Sequence, residues 1–562
     1  MASMIARRIA VPLVALIAFA GTLVIRPSLP ATAQGTDQDL VDLACSLPHS
    51  YLLRTWRGWS PDRGAELSWI PNEPDFVGSG LPHVGPWDYI QHIPMFWYGP
   101  GHIAARGRLY RPVTLADIAP TQAKLLDFPF EAVDGAPMRE ALDRSVGTEG
   151  YTPPKLLVVL VWDAAGINVL DEHASLWPFT RRLIPRGTWY MNGFVGSSPT
   201  STAQSHATIG TGAFPIHHGI VGHHFQIDGN DTTPWQLGPN FMVLPTLGDL
   251  YDVSTGNDAV VGEVGTADIH MGMLGHGAFW HGGDRDIALT RSAAIKTTAT
   301  TEGDTWNLPE ELLPYYELAG YANDVKGFNK DKDELDRADG QLDGKWRTND
   351  IKQLLKGFDT PARTPYQERV VESIVRHERF GQDEVPDLLF LNFKEIDYIS
   401  HVWSMNSPEM GDAVKYQDDA LRRFIAFLNG FVGKNSWAMV ITADHAAMPD
   451  PGVSGGYQIS TAPIEAGIEA TFDQDGDDVR VVDLIQPAQA FLNEAELEQN
   501  GFDMADVARY VMSLTQQDTA GGGVSPQPGH EGDAVFQAVF PSDMMSSLPC
   551  LPEAKRDRTV EA

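Results

Sequence analysis

Basic residues, cysteine and long apolar runs are what this 562-residue chain has least of. Its 41 Lys and Arg face 74 Asp and Glu, for a formal charge of −33 at pH 7. So acidic a surface excludes a stable nucleic-acid complex, because phosphate contacts are made by Lys and Arg. There are only two cysteines, Cys45 and Cys550, which allow one intrachain bridge at most. One apolar run is long, from Ile9 to Ile25, with Arg7 and Arg8 ahead of it and Ala31, Thr32 and Ala33 behind. That order is the pattern of an export signal over residues 1–33, and an uncleaved membrane anchor is the alternative reading. No later stretch is apolar enough to span a bilayer, so the mature chain is expected to be secreted or periplasmic. An exported chain with one cysteine near each end suggests a Cys45–Cys550 disulfide, two buried thiols being the other possibility. No internal repeat or low-complexity tract is present.

What the chain does have is a set of short apolar runs that end in acids. LLVVLVW at 156–162 runs into Asp163, LLFLNF at 388–393 precedes Asp397, and WAMVITA at 437–443 precedes Asp444. Continuous apolar runs of this length read as buried parallel strands. Val414, Leu421, Phe424 and Leu428 recur at helical spacing between the last two. The fold class expected is therefore α/β, a mainly parallel sheet with helices on both faces, and ligands gather at the carboxyl ends of such strands. Residues 300–365 differ, with clustered charge over 329–346 and no strand-like run, and read as a helical cap or insert.

Metal-ligand residue types concentrate at those strand ends. Asp163, the pair Asp397 and His401 in DYISH, and the pair Asp444 and His445 in ADH accompany a Thr-rich segment, PTSTAQSHATIGTG, from Pro199 to Gly212. Each piece alone would be ordinary as a cap or an ion pair. Together, at three strand ends of one chain, they point to a metal site.

LVWDAAG, PTSTAQSHATIGTGAFPIHHGIVG, DYISH and TADH, taken in order and spacing, resemble the type I phosphodiesterase and nucleotide pyrophosphatase branch of the alkaline phosphatase superfamily over roughly residues 155–450. The resemblance implies an αβα sandwich and Thr202 as nucleophile. It also implies two zinc ions, one on Asp163, Thr202, Asp444 and His445, the other on Asp397, His401 and one further histidine. Downstream the only match for that histidine is His530 in PGHEG, and the residues after it do not fit. LPHVGPWDYIQHIPMFWYGPGHI at 81–103 looks like the family's C-terminal segment instead, which makes His83 the third ligand. The chain then reads as circularly permuted, with 34–150 supplying the final piece of the catalytic domain and 151–562 the main part. A Cys45–Cys550 bridge would rejoin the ancestral chain at its break.

The same resemblance bears on substrate. Threonine-nucleophile monoesterases of the superfamily carry a Lys-x-Arg pair, and Thr266 and Asp268 fall at those places. A small diester or pyrophosphate is therefore expected over a monoester. His223 falls where the family has a phosphoryl-contacting asparagine and keeps a donor there. A monoesterase and a non-catalytic metal-binding relative are the alternatives. The sulfatase Cys-x-Pro-x-Arg signature is absent, since Ala203 and Gln204 follow Thr202.

Overall fold

A computed structural model describes residues 35–234, 238–276, 280–291, 306–357 and 360–551. The expected export signal lies outside these residues. The strands of the large sheet are β1 (His92–Tyr98), β2 (Gly107–Thr114), β3 (Leu156–Trp162), β4 (Thr188–Phe194), β5 (Val261–Val264), β6 (Asp286–Arg291), β7 (Trp306–Asn307), β8 (Tyr316–Leu318), β9 (Asp387–Phe393) and β10 (Trp437–Thr442). They run in the order β7-β6-β5-β9-β3-β10-β1-β4-β2, with β8 on β6.

The three apolar runs lie side by side at the centre, because side chains apolar on both faces need a layer above and below. β3 pairs parallel with both β9 and β10, and Trp162 stands opposite Phe393. All seven residues of β3 and of β9 are buried. Each Val or Leu buried this way contributes about 1.5–3 kcal/mol. The N-terminal strand β1 enters antiparallel between β10 and β4, inside the sheet rather than at its edge.

Four helices position the site: α1 (Thr202–Thr211), α2 (Leu247–Thr255), α3 (Glu395–Trp403) and α4 (Pro408–Leu428). α4 starts where Ser407 caps the Met410 amide and Pro408 occupies the first turn, and it buries Val414, Leu421, Phe424 and Leu428 on one face. α1 is buried along its whole length and ends at Gly212 with φ +67. Its Gly210 is obligatory, since a Cβ there would lie 2.3 Å from the Met273 carbonyl oxygen.

A second, antiparallel sheet orders Val482–Gln486, Gln489–Leu492, Leu67–Pro71 and Phe536–Pro541. Trp69, Val482, Leu492, Val507 and Val539 share its core, so the two ends of the chain fold as one layer. Cys45 and Cys550 are joined by a disulfide with Cα atoms 5.6 Å apart. The acidic segment within 300–365 is only partly helical. It holds the helices Phe328–Asp336, Ile351–Gly357 and the start of Arg363–His377, but also β7 and β8, which extend the far edge of the large sheet. Strands of two or three residues are too short to show an alternation in sequence.

Candidate active site

The parallel centre of the sheet delivers its loops to one end, and they meet in a cleft of about 320 Å³. Asp163 follows β3, Lys394 follows β9 and leads into α3 with Asp397 and His401, and Asp444 and His445 follow β10. α1 opens with Thr202 in the same place, so its amino-terminal dipole faces the cleft. His83 arrives from the loop ahead of β1, and the turn Gln486–Gln489 of the small sheet forms the opposite wall. No described residue of the 300–365 segment lines the cleft.

Three histidines point inward. His83 Nε2 lies 3.3 Å and His401 Nε2 3.4 Å from the same oxygen, Asp397 Oδ1. His445 Nε2 lies 3.6 Å from Asp163 Oδ1 and 3.3 Å from Asp444 Oδ2. In each ring Nδ1 meets a backbone carbonyl: Thr200 at 3.1 Å for His83, Gly80 at 2.6 Å for His401, and Ala446 at 3.0 Å for His445. A carbonyl can only accept, so Nδ1 carries the proton and Nε2 turns its lone pair inward. Asp163 Oδ1, Asp397 Oδ1, Asp444 Oδ2 and His445 Nε2 are buried with no hydrogen-bond partner. Buried acceptors without donors are rare, and lone pairs facing one another in a dry site are reconciled by a cation.

Lys394 was not singled out by its sequence, yet it sits at the centre. Its Nζ lies 2.9 Å from Asp163 Oδ2, 2.8 Å from Asp397 Oδ2 and 3.1 Å from Thr202 Oγ1. It thus takes the outer oxygens of the two carboxylates and leaves their inner ones free. Burial alone would lower its pKa, but Asp163, Asp397 and Asp444 outweigh that and hold it above the ordinary lysine range. Burial raises Asp163 and Asp444, while the Lys394 ammonium overcomes burial and keeps Asp397 low. One lysine for three buried carboxylates leaves a deficit of positive charge.

His206 on α1 completes the packing. Its Nδ1 faces the Thr202 carbonyl at 2.7 Å, and its Nε2 accepts from Asn392 Nδ2 at 2.9 Å. Asn392 also donates to Asp163 Oδ2 at 2.8 Å. Although His206 stands near Asp163 and Asp444, both its nitrogens are engaged, so it braces the turn that carries Thr202. His223, Thr266 and Asp268 line the cleft. Burial, aided by the Lys394 charge, pushes the His223 pKa down to about 3, so its ring is neutral at pH 7. His530 stands away from the cleft, exposed and 2.7 Å from Asp533. All seven residues expected as ligands, Asp163, Thr202, Asp397, His401, Asp444, His445 and His83, therefore border one cleft or its floor.

The profile of the family described as type I phosphodiesterase / nucleotide pyrophosphatase matches residues 157–538, more than half of the chain. A protein named calcium-transporting ATPase from Myroides odoratus is 23% identical over 367 residues, covering 54% of this chain and 62% of its own length. The chain thus spans less than two thirds of that relative. Alkaline phosphatase PafA of Elizabethkingia meningoseptica is 22% identical over 411 residues, covering 65% and 74%. Among solved structures, wild-type alkaline phosphatase PafA superposes with a TM-score of 0.50 at 17% identity, over 70% of this chain and 85% of that one. At that identity the likeness shows a common fold.

Proposed function

The chain belongs to the type I phosphodiesterase / nucleotide pyrophosphatase family of the alkaline phosphatase superfamily, and on that footing we propose that it is an exported, two-zinc phosphodiesterase with Thr202 as nucleophile. One observation carries the reading: three carbonyl-anchored histidines aim Nε2 at the oxygens of three buried carboxylates, with His445 Nε2 and one oxygen of each carboxylate partnerless, beside a threonine at a helix amino terminus. Mixed nitrogen and oxygen donors suit zinc. Asp397, His401 and His83 form one donor set, and Asp163, Thr202, Asp444 and His445 the other. Bound zinc would supply Lewis-acid charge at the attacking and leaving oxygens.

Thr202 Oγ1 gives up its proton to solvent and attacks phosphorus in line, the ester oxygen departs and takes a proton from solvent, and a phospho-threonine remains. Water then forms a new P–O bond, the bond to Thr202 breaks, and the hydroxyl is restored. Lys394 donates to Thr202 Oγ1 and steadies negative charge on it. His223, neutral, donates an N–H toward a phosphoryl oxygen.

The charge distribution favours a diester or pyrophosphate. Among the described residues lining the cleft, Lys394 is the one Lys or Arg. Its charge is already met by Asp163 and Asp397 at the base, and Thr266 and Asp268 add no cation to the wall. A monoester dianion would lack a partner for its second charge. Pro82, Val84, Ala267, Ile269 and Pro487 instead give a second ester substituent an apolar surface. The partner is thus a small phosphate ester, with no stable nucleic-acid complex and no membrane span in the mature chain. Among the described residues no helix is long and apolar enough to cross a membrane, and the Cys45–Cys550 disulfide supports export.

We read the chain as circularly permuted. The placement of β1 inside the large sheet, with β2 at its edge, and a disulfide spanning 505 residues support that reading. The deciding experiment compares bis-p-nitrophenyl phosphate with p-nitrophenyl phosphate. Diester kcat/KM is expected to exceed monoester kcat/KM by at least ~10-fold, to vanish with chelator and to return with zinc. A monoester preference would overturn the diester reading; turnover that survives full zinc removal would overturn the metal reading.

A further inference from the structure

A second group of aspartates lies at the amino ends of β5 and β6, the end of the sheet opposite the cleft. Asp252 comes from the last turn of α2, Asp284 from the loop ahead of β6, and Asp286 from the first position of β6. One oxygen from each lies within 4.8 Å of the others. Asp284 is exposed, as surface acids usually are, but the other two are not: Asp252 is 0% exposed and Asp286 6%. Neither Asp252 oxygen makes a sound hydrogen bond, and Asp286 Oδ2 makes none either. Asp286 Oδ1 accepts from the Val261 amide at 3.1 Å.

Every ionisable side chain that bears on Asp252 and Asp286 is acidic. Burial, with the carboxylates of Asp284 and Asp249, pushes Asp252 up to about 7; burial, with those of Asp252, Asp284 and Asp387, pushes Asp286 up to about 8, and the backbone amides of Asp284 and Val261 offset this only in part. Arg285, the cation adjacent in sequence, is turned to Glu317 at 3.0 Å. The carboxyl end of α2 adds its negative dipole to the same place. Buried carboxylates without donors are not tolerated unless something positive reconciles them.

We propose that Asp252, Asp284 and Asp286 bind a hard divalent cation of the calcium class. The donors are all anionic oxygens, with no nitrogen or sulfur that would favour zinc. Asp284 leaves the outer side open, so water completes the six to eight ligands such an ion takes. The ion ties the end of α2 to the start of β6, and Asn257 Nδ2 fastens the same junction through the Gly282 carbonyl at 3.1 Å. Between β5 and β6 runs the segment carrying Thr266–Ile269 in the cleft wall, so the site braces a wall of the cleft from behind.

The test uses the mature, zinc-loaded protein freed of calcium, with calcium chloride alone as the probe and thermal unfolding as the readout. At a concentration ~100-fold above Kd, calcium raises Tm by roughly 2–3 °C. The Asp252→Asn variant shows no calcium-dependent rise, while its calcium-free Tm stays at or above that of the wild type because one buried charge is gone. A double variant in the cleft, Asp397→Ala with His401→Ala, keeps the rise, which separates this site from the catalytic one. No rise in the wild type would overturn the proposal and leave the aspartates sharing protons. An equal rise in Asp252→Asn would also overturn it, by placing calcium elsewhere.

Discussion

The chain holds two groups of three aspartates at opposite ends of one sheet, and their surroundings differ in kind. Asp163, Asp397 and Asp444 sit among inward-turned histidines, a lysine and a helix amino terminus. Asp252, Asp284 and Asp286 are grouped with no histidine or lysine and lie at a helix carboxyl terminus. Carboxylates alone do not make a catalytic centre. In the cleft they are combined with the Thr202 hydroxyl and with a fixed cation that leaves part of the charge deficit open. At the far end the deficit is left to the proposed cation alone.

Breaking the cleft group has the largest effect. Thr202→Ala is expected to lower diester turnover by at least ~10³-fold while zinc content stays at two per chain, read by metal analysis on the same sample. His83→Ala gives the converse: one zinc is lost and turnover falls with it, recovering partly at excess zinc. Full activity in Thr202→Ala would remove it as nucleophile. Two zincs retained tightly in His83→Ala would remove His83 as ligand and, with it, the main support for reading 34–150 as a permuted piece.

Lys394→Met tests whether the fixed cation is what sets the two groups apart. The methionine side chain keeps the volume but leaves Asp163 Oδ2, Asp397 Oδ2 and Thr202 Oγ1 without their shared donor. Turnover is expected to fall about 10²-fold, the scale of losing one preorganised donor, while zinc is retained or bound more tightly. A loss of zinc together with turnover would make Lys394 a scaffold residue only.

These contrasts were unequally visible in the sequence. The strands leading to Asp163, Asp397 and Asp444 could be read because an apolar run of six or seven residues with an acid at or soon after its end is too short for a buried helix and too continuous for a surface strand, and α4 because Val414, Leu421, Phe424 and Leu428 repeat at helical spacing. Lys394 went unread because one lysine in FKEIDYISH looks like a solvated surface residue; its i, i+3 spacing to Asp397 was the available signal. The small sheet was hidden for another reason. Leu67–Pro71 pairs with strands more than 400 residues later in the chain, and no local pattern reports a partner that distant. The same applies to Asp252, whose nearest partners arrive 32 and 34 residues on, in a loop that shows only as GGDRD.

The smallest expected effect sharpens the comparison from the other side. Asp286→Asn keeps an oxygen for the Val261 amide, and its new amide can donate to a partnerless oxygen of Asp252. One of two facing buried charges disappears, so the calcium-free Tm rises, by roughly 1–2 °C for a gain of about 1–2 kcal/mol. The calcium increment is lost, and diester kcat/KM stays within about twofold of wild type because no group in the cleft has moved. The equivalent exchange in the cleft, Asp397→Asn, withdraws the oxygen that His83 and His401 both face and abolishes turnover. If Asp286→Asn lowered turnover as Asp397→Asn does, the far group would be part of the catalytic apparatus, and the division between the two ends of the sheet would not hold.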